Sequence, residues 1–168
     1  MLVSGVSLRR ATDADWQQIR SWLAQPDIRR WWGPTAASEA EVIVALGHEH
    51  AIARIVQFDG KDIGYGHAVD ASIWGDDLPA DLEPGTWDLD IFIAASEARG
   101  RGIGSKALSM LRDEVFSTTL AVAVSIFPSI ENEPAVRAYE KIGFKWKRIW
   151  ADSVYGPSWF MVYDRPQA

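Results

Sequence analysis

A glycine-rich segment between a predicted strand and a predicted helix constrains this chain more than any other feature. Residues 86–94 have the apolar content of a strand, and apolar side chains within residues 102–116 step by four along one helical stripe. The segment that joins the two elements is Arg99-Gly100-Arg101-Gly102-Ile103-Gly104-Ser105. Its glycines let backbone N–H groups approach a ligand closely, and the helix N-terminus adds partial positive charge. We therefore predict a pyrophosphate site here, flanked by two arginines.

The spacing of these glycines excludes the two common nucleotide-binding loops, because both a GxGxxG fingerprint and a Walker loop need residues that are missing here. Around this segment the hydrophobic patterns predict a mixed α/β sheet with antiparallel and parallel parts. The predicted strands are residues 6–10, 51–58, 63–69, 86–94, 120–127, 144–150 and 158–163. A first helix is predicted from residue 16 until Pro26 ends it, with Trp31 to Pro34 forming a turn. Further helices are predicted at residues 36–46, 102–116 and 134–142.

Composition excludes several classes of protein. The 168 residues contain no cysteine, which excludes disulfides, thiolate metal sites and a cysteine nucleophile, and we expect no metal site. A formal net charge of -6 and a pI of about 5.0 argue against binding to nucleic acid or to an anionic membrane. No apolar run approaches the roughly 18 residues of a membrane span, and the N-terminus lacks the apolar core of a signal peptide. We therefore expect a cytoplasmic protein.

Charge is distributed unevenly along the chain. Residues 62–98 contain nine acidic residues and neither lysine nor arginine, whereas residues 99–148 contain nine basic residues and five acidic ones. One interpretation is a solvated acidic surface beside a scattered basic one, which is the usual meaning of charge runs. The other interpretation is a pair of ligand sites of opposite polarity.

Two motifs favour the second interpretation. The loop matches the pattern R/Q-x-x-G-x-G/A, and residues 132–144 match N-x-x-A-x-x-x-Y-x-K-x-G-F. Both patterns resemble those of the GNAT acyltransferases. The stretches WLAQPDIRRWWG, IGYGHAVD, PSIENEPAVRAYEKIGF and GPSWFMV also resemble the aminoglycoside 6′-N-acetyltransferase branch of that superfamily. The resemblance implies a single GNAT domain over residues 1–168, with about seven strands in a mixed sheet, splayed parallel central strands and about four helices.

The resemblance implies acetyl-CoA as the cofactor. The backbone of Ile91, Phe92 and Ile93 would hold the pantetheine arm, and Tyr139 would protonate the departing thiolate or donate a hydrogen bond to it. An alternative role for Tyr139 is core packing against Phe144. The remaining residues implied for cofactor binding are Arg99, Gly100, Arg101, Gly102, Ile103, Gly104, Ser105, Asn132, Ala135 and Lys141.

Asp90 is the residue that we expect to handle the amine. Strand alternation places Asp88, Asp90 and Phe92 on one face, and Asp90 aligns with the catalytic aspartate of the aminoglycoside branch. Asp90 would accept the proton directly, accept it through water, or only orient the amine. The alternative is a structural acid bonded to nearby backbone. Because the chain has no cysteine, we expect direct transfer in a ternary complex.

The resemblance also implies a cationic small-molecule acceptor, an aminoglycoside acetylated on its 6′-amino group, bound by Trp32, Trp74, Asp77, Asp88 and Asp90. Three alternatives are a siderophore-type hydroxylamine acyltransferase, a protein N-terminal acetyltransferase and a catalytically silent module that binds CoA or polycations. A monomer or a homodimer is expected.

Two positions and one histidine bear on the acceptor. Phe127 and Tyr155 stand where the aminoglycoside branch has acids, and the acid nearest to Tyr155 is Asp152. His67 is predicted to be a packed neutral histidine rather than a proton relay.

Overall fold

A seven-stranded sheet in the order β1-β2-β3-β4-β5-β7-β6 runs through the protein. The computed structural model describes residues 4–151, 153 and 155–167. The pair β4 and β5 is parallel and the other neighbouring pairs are antiparallel, which confirms the predicted mixed sheet. The strands are β1 (Val6–Arg10), β2 (Ala51–Phe58), β3 (Lys61–Asp70), β4 (Thr86–Ile93), β5 (Ala123–Ile126), β6 (Lys145–Trp150) and β7 (Ser158–Asp164).

Five α-helices accompany the sheet in the described part of the chain, one more than predicted. The additional helix lies where the sequence indicated a break and a turn. Pro26 begins this helix instead of only ending the previous one, because the first helical turn does not need the N–H that proline lacks. Gly33 ends it with a φ of +78°. The helices are α1 (Trp16–Leu23), α2 (Pro26–Trp32), α3 (Thr35–Gly47), α4 (Ile103–Thr118) and α5 (Glu133–Lys141).

The two faces of β4 belong to two different hydrophobic cores. Trp87, Leu89 and Ile91 pack in the core that contains α4, whereas Phe92 packs in the core formed with α1, α2 and α3. The predicted alternation along this strand is therefore confirmed, and it places Asp88 and Asp90 on the side of α1–α3. None of the helices in the described part of the chain is both long enough and apolar enough to cross a membrane.

The parallel strands β4 and β5 separate halfway along β4. Their pairing runs from Thr86 opposite Ala123 to Asp88 opposite Ser125, and β4 then continues to Ile93 while pairing only with β3. Beyond Asp88 the edge of β4 that faces β5 pairs with none of the strands that the structure describes. The predicted splay is thus confirmed, and it opens a gap in the middle of the sheet.

Candidate active site

A cavity of about 1070 Å³ occupies the gap between the splayed strands. Its walls come from the end of β4, the glycine-rich loop, the start of α4, the face of α5 and the C-terminal part of α2. Most of the predicted site residues lie in these walls: Trp32, Asp90, Ile91, Phe92, Ile93, Arg99, Gly100, Gly102, Gly104, Ser105, Asn132, Ala135, Tyr139 and Lys141. The chain therefore brings together residues that are up to about a hundred positions apart in sequence.

The glycine-rich loop presents backbone rather than side chains to this cavity. Gly100 and Gly102 have φ values of +73° and +78°, a region that L side chains rarely adopt. Gly102 is also the N-cap of the 16-residue α4 and has no side chain that could satisfy the first N–H groups of the helix. Those donors and the helix dipole suit a phosphate group. The geometry of this loop therefore fits the pyrophosphate of the predicted cofactor.

Three of the loop residues have structural roles that the sequence did not separate from ligand binding. Arg101 does not line the cavity, since its guanidinium lies 5.0 Å above the ring of Phe58. Ile103 does not line it either, because its side chain is buried in the core with α4. Arg99 lines the wall, but its guanidinium is bonded to the carbonyl of Ile93 at 2.9 Å and to Asp27 of α2 at 2.9 Å. Arg99 therefore ties the loop to β4 and α2.

Asp90 lies in the wall where β4 leaves β5. Its Oδ1 accepts a hydrogen bond from the N–H of Ile91 at 2.9 Å. That N–H is therefore not free to bind the pantetheine arm, although the prediction from sequence included the backbone of residues 91–93. Burial raises the pKa of Asp90 well above its usual value, and the nearby carboxylates of Glu41 and Asp88 raise it further. Asp90 is thus a stronger base than an ordinary aspartate.

Asp88 lies two residues earlier on the same face but outside the cavity walls. Its Oδ1 accepts a hydrogen bond from the hydroxyl of Ser125 at 2.8 Å across the last parallel pair. Burial raises the pKa of Asp88 to about 8. The structure therefore places Asp88 outside the cavity walls, and its contact with the acceptor stays a prediction.

This raised pKa has a consequence for stability. The pKa of Asp88 is about 3.9 in the unfolded state and about 8 in the folded state. Between these two values the folded state binds more protons than the unfolded state. The free energy of unfolding therefore falls as the pH rises through this window. Because unfolded Asp88 is already ionised at pH 5, we expect the gain in Tm of Asp88→Asn over wild type to be larger at pH 9 than at pH 5 by at least about 3 °C. Thermal unfolding followed by circular dichroism measures both. The exposed Asp76→Asn is the control, and an equal gain at the two pH values for Asp88→Asn would contradict the prediction.

Tyr139 lies in the α5 wall of the cavity, and its two predicted roles are compatible. Its ring centroid is 6.3 Å from that of Phe144, which is the packing role. Burial raises the pKa of its phenol above the usual value of 10, and the charge of Asp90 raises it further. The hydroxyl therefore keeps its proton at neutral pH. Asn132 caps the same helix by accepting a hydrogen bond from the N–H of Ala135 at 3.4 Å.

Trp32 forms the aromatic wall next to Asp90. Its indole N–H donates to the carbonyl of Ile91 at 3.4 Å, and its ring contacts Phe92 edge-on at 5.1 Å between centroids. His67 packs beside it, and burial lowers the pKa of His67 to about 4. The prediction of a packed neutral histidine is thus confirmed.

Trp74 and Asp77 were predicted to bind the acceptor, but neither lines the cavity. The ring of Trp74 packs against the core of α1–α3, 6.4 Å from the ring of His67. Asp77 is exposed at the end of the short 3-10 helix Gly75–Asp77. Its negative charge raises the pKa values of Glu41 and Tyr155.

Glu41 and Tyr155 form a contact that no sequence pattern indicated. The hydroxyl of Tyr155 donates a hydrogen bond to Oε1 of Glu41 on α3, across a sequence separation of 114 residues. No local pattern singles out Glu41, because exposed acids are common on helices. Tyr155 was noted only as a departure from the pattern of the aminoglycoside branch. The neighbouring Asp152 lies outside the described residues, and Phe127 packs between the rings of Trp150 and Phe160.

Comparisons with known proteins agree with this geometry. The aminoglycoside N(6′)-acetyltransferase type 1 of Klebsiella pneumoniae is 30% identical over 168 residues, which cover 95% of this chain and 83% of that protein. The crystal structure of aminoglycoside acetyltransferase AAC(6′)-Ib in complex with coenzyme A and kanamycin is 30% identical, covers 95% of each chain and superposes with a TM-score of 0.82. An N5-hydroxyornithine acetylase of Beauveria bassiana is 27% identical over 134 residues, which span only 25% of that longer protein.

A family assignment follows from a match over most of the chain. Residues 11–151 match the family described as the acetyltransferase (GNAT) domain. The predicted fold, the acetyltransferase activity and the acetyl-CoA cofactor are thereby confirmed at the level of the family. With the splayed strands, the glycine-rich loop and the α5 motif all in one cavity, the chain belongs to the GNAT acetyltransferases.

Proposed function

We propose that this protein transfers the acetyl group of acetyl-CoA directly to the 6′-amino group of an aminoglycoside. The observation that carries the proposal is Asp90, a carboxylate of raised pKa in the wall of a cavity whose other walls hold the glycine-rich loop and Tyr139. Relatives at about 30% identity are aminoglycoside acetyltransferases, one of them solved with coenzyme A and kanamycin. We also propose that the described residues act as one catalytic domain, because both hydrophobic cores are built on the same sheet.

The cofactor, when bound, supplies an activated thioester. The chain holds its pyrophosphate with the backbone N–H groups at Gly102 and at the start of α4, which need no reorganisation to face an anion. The gap between β4 and β5 admits the arm that follows, and Ile93 and Asn132 line that gap from its two sides. These groups orient the donor.

Asp90 prepares the acceptor. Its Oδ1 is held by the N–H of Ile91, which orients the carboxylate so that Oδ2 is the oxygen available to a proton. An ammonium group is not nucleophilic, and loss of its proton to Asp90, directly or through water, produces the amine that attacks. The raised pKa of Asp90 favours this transfer. Tyr139, which keeps its proton at neutral pH, donates a hydrogen bond from Oη to the sulfur that leaves as a thiolate.

The role of Tyr139 can be measured separately from its packing. We expect Tyr139→Phe to lower kcat about tenfold, since a thiolate of pKa about 8.5 leaves without much assistance and the ring still packs against Phe144. The Kd for acetyl-CoA should stay within about twofold of wild type. Steady-state kinetics and calorimetry provide the two values. An unchanged kcat would show that Tyr139 does not stabilise the leaving thiolate and would leave it only the packing role.

A hydroxylamine acceptor is the second candidate, favoured by the similarity to the N5-hydroxyornithine acetylase. A hydroxylamine is neutral at pH 7, so it would not need a basic Asp90 or the acidic surroundings of the site.

One panel experiment separates these functions. The purified protein is incubated with acetyl-CoA and kanamycin, N5-hydroxyornithine, spermidine or a short peptide, and free thiol and product mass are followed. We expect acetylation of kanamycin at one amino group. Turnover of N5-hydroxyornithine without turnover of kanamycin would move the assignment to the hydroxylamine reaction. Turnover of the peptide alone would move it to protein acetylation, and turnover of none would leave the silent CoA-binding module.

A further inference from the structure

Phe127 lies opposite Asp90 across the gap between the splayed strands. The last parallel pair joins Asp88 to Ser125, and the hydroxyl of Ser125 donates to the carboxylate of Asp88 on one face of the sheet. Because side chains alternate along a strand, the residues two places further on, Asp90 and Phe127, lie on that same face. Both of them line the cavity. The ring of Phe127 is therefore the surface opposite the carboxylate that we expect to receive the amine.

The ring of Phe127 is held in this position by other aromatic rings. Its centroid lies 5.1 Å from that of Phe160 and 5.5 Å from that of Trp150. Phe160 belongs to a small core with Ala123, which lies on the same face of β5 as Ser125. These contacts bury the ring of Phe127 only in part, and the residue still lines the cavity. Phe127 thus presents an apolar surface of fixed geometry to a ligand.

The cavity wall at the end of β5 is apolar. Ile126, Phe127 and Pro128 follow one another along it. On the side of α2, Trp32 adds an indole ring next to Asp90. An acceptor whose amine reaches Asp90 therefore passes between aromatic surfaces, and an apolar face of that acceptor would be removed from water by packing on them.

Carboxylates are scarce in the same walls. Among the described residues, the acids that line the cavity are Asp27 and Asp90, and Asp27 forms a salt bridge with Arg99 at 2.9 Å. Asp90 forms no salt bridge with a described residue. The basic residues in the walls are Arg30, Arg99, Lys106, Arg137 and Lys141. Within the described walls, a first ammonium group thus finds a carboxylate without a basic partner, and a second one does not.

We propose that Phe127 determines acceptor specificity: its ring packs on the carbon face of the sugar ring that carries the reactive aminomethyl group, while Asp90 binds the one ammonium group that the cavity requires. Burial of the C–H face of the sugar against the phenyl ring supplies affinity that does not depend on charge. This inference rests on the proposed function and deepens it. It defines the acceptor by an aminomethyl group on a ring with an apolar face, and not by the number of its ammonium groups.

The test measures acceptor binding by calorimetric titration in the presence of coenzyme A. Kanamycin carries several ammonium groups, whereas methyl 6-amino-6-deoxyglucoside carries one, and both contain a sugar ring with an aminomethyl group. We expect the Kd of this monoamine in wild type to lie within about tenfold of that of kanamycin. Phe127→Ala should weaken the binding of both ligands about tenfold, because the ring contacts the part that they share.

Phe116→Ala is the matched control. Phe116 is also a partly buried phenylalanine, but it lies on α4 outside the cavity walls. Its replacement should leave both Kd values within about twofold of wild type. Phe127→Leu keeps much of the apolar volume and loses the ring, so we expect a loss of about threefold for both ligands. This variant takes the place of Phe127→Ala if the latter does not fold.

The outcomes are distinguishable from those of the proposed function. Unchanged Kd values for both ligands in the Phe127 variant overturn the role of Phe127, and so does an equal loss in Phe116→Ala. Weaker binding of kanamycin alone overturns it too, because the ring would then contact a part that the monoamine lacks. A monoamine that wild type binds more than about tenfold more weakly than kanamycin overturns the requirement for a single ammonium group. Binding without acetylation overturns the proposed function, whereas the Kd values still decide the role of Phe127. A wild type that binds neither ligand overturns this inference.

Discussion

Replacing Asp90 by Asn is expected to lower kcat about 10³-fold while the Kd for acetyl-CoA stays within about twofold of wild type. Asparagine keeps the shape of the side chain and can still accept from the N–H of Ile91, but it cannot take a proton from the amine. The magnitude follows from the usual contribution of a positioned general base. Stopped assays with kanamycin and titration with acetyl-CoA measure the two quantities.

The control for this variant is Asp59→Asn, which removes the same charge from the turn between β2 and β3. Asp59 has a φ of +50°, a conformation that asparagine tolerates.

Wild-type turnover also has a predictable pH dependence. We expect kcat/KM to rise with pH as Asp90 loses its proton, at pH values well above the range in which an ordinary aspartate titrates. Turnover of Asp90→Asn at the wild-type rate would show that Asp90 is the structural acid of the alternative interpretation.

Replacing Gly102 by Val is expected to weaken acetyl-CoA binding about 100-fold or more. A β-branched residue at a φ of +78° is strained by about 1–2 kcal/mol, and relief of that strain turns the first N–H groups of α4 away from the cavity. Each charged hydrogen bond lost to the pyrophosphate costs about 1.5–3 kcal/mol, so two of them account for the effect. Calorimetry with acetyl-CoA and with coenzyme A measures it.

Gly47→Val serves as the comparison for the glycine variant. Gly47 ends α3, and a Cβ there would meet no atom within 4 Å. Cofactor affinity should be unchanged in this variant. Tight binding of acetyl-CoA by Gly102→Val, with a normal Tm, would show that the phosphate groups do not depend on the geometry of this loop.

Local sequence patterns predicted the glycine-rich loop, the start of α4 and the face of β4 that carries Asp90, because all three depend on neighbouring residues. They did not predict that Arg101 and Ile103 have structural roles outside the cavity walls. Resemblance to a known family added roles for Tyr139 and Asn132, which spacing alone does not supply.

Contacts between residues that are distant in sequence could not be predicted from spacing. Glu41 and Tyr155 are 114 residues apart, and the ring of Tyr155 packs on Gly33. Helix α2 was missed because Pro26 serves equally well as the end of one helix and the start of another. The packing of Trp74 could not be predicted for a related reason: an indole in a loop has no local signal that distinguishes ligand contact from packing against a core.

The splay of β4 and β5 leaves backbone groups that a neighbouring strand would otherwise satisfy. Three side chains take its place: Asp90 accepts from the N–H of Ile91, Trp32 donates to the carbonyl of the same residue, and Arg99 donates to that of Ile93. Because an unpaired buried backbone group is costly, these bonds remove the penalty for keeping the strands apart. The cleft is therefore preorganised by the residues that line it, and binding energy does not have to be used to separate the strands. A substitution that removes any of these three hydrogen bonds consequently weakens the architecture of the cleft as well as its chemistry.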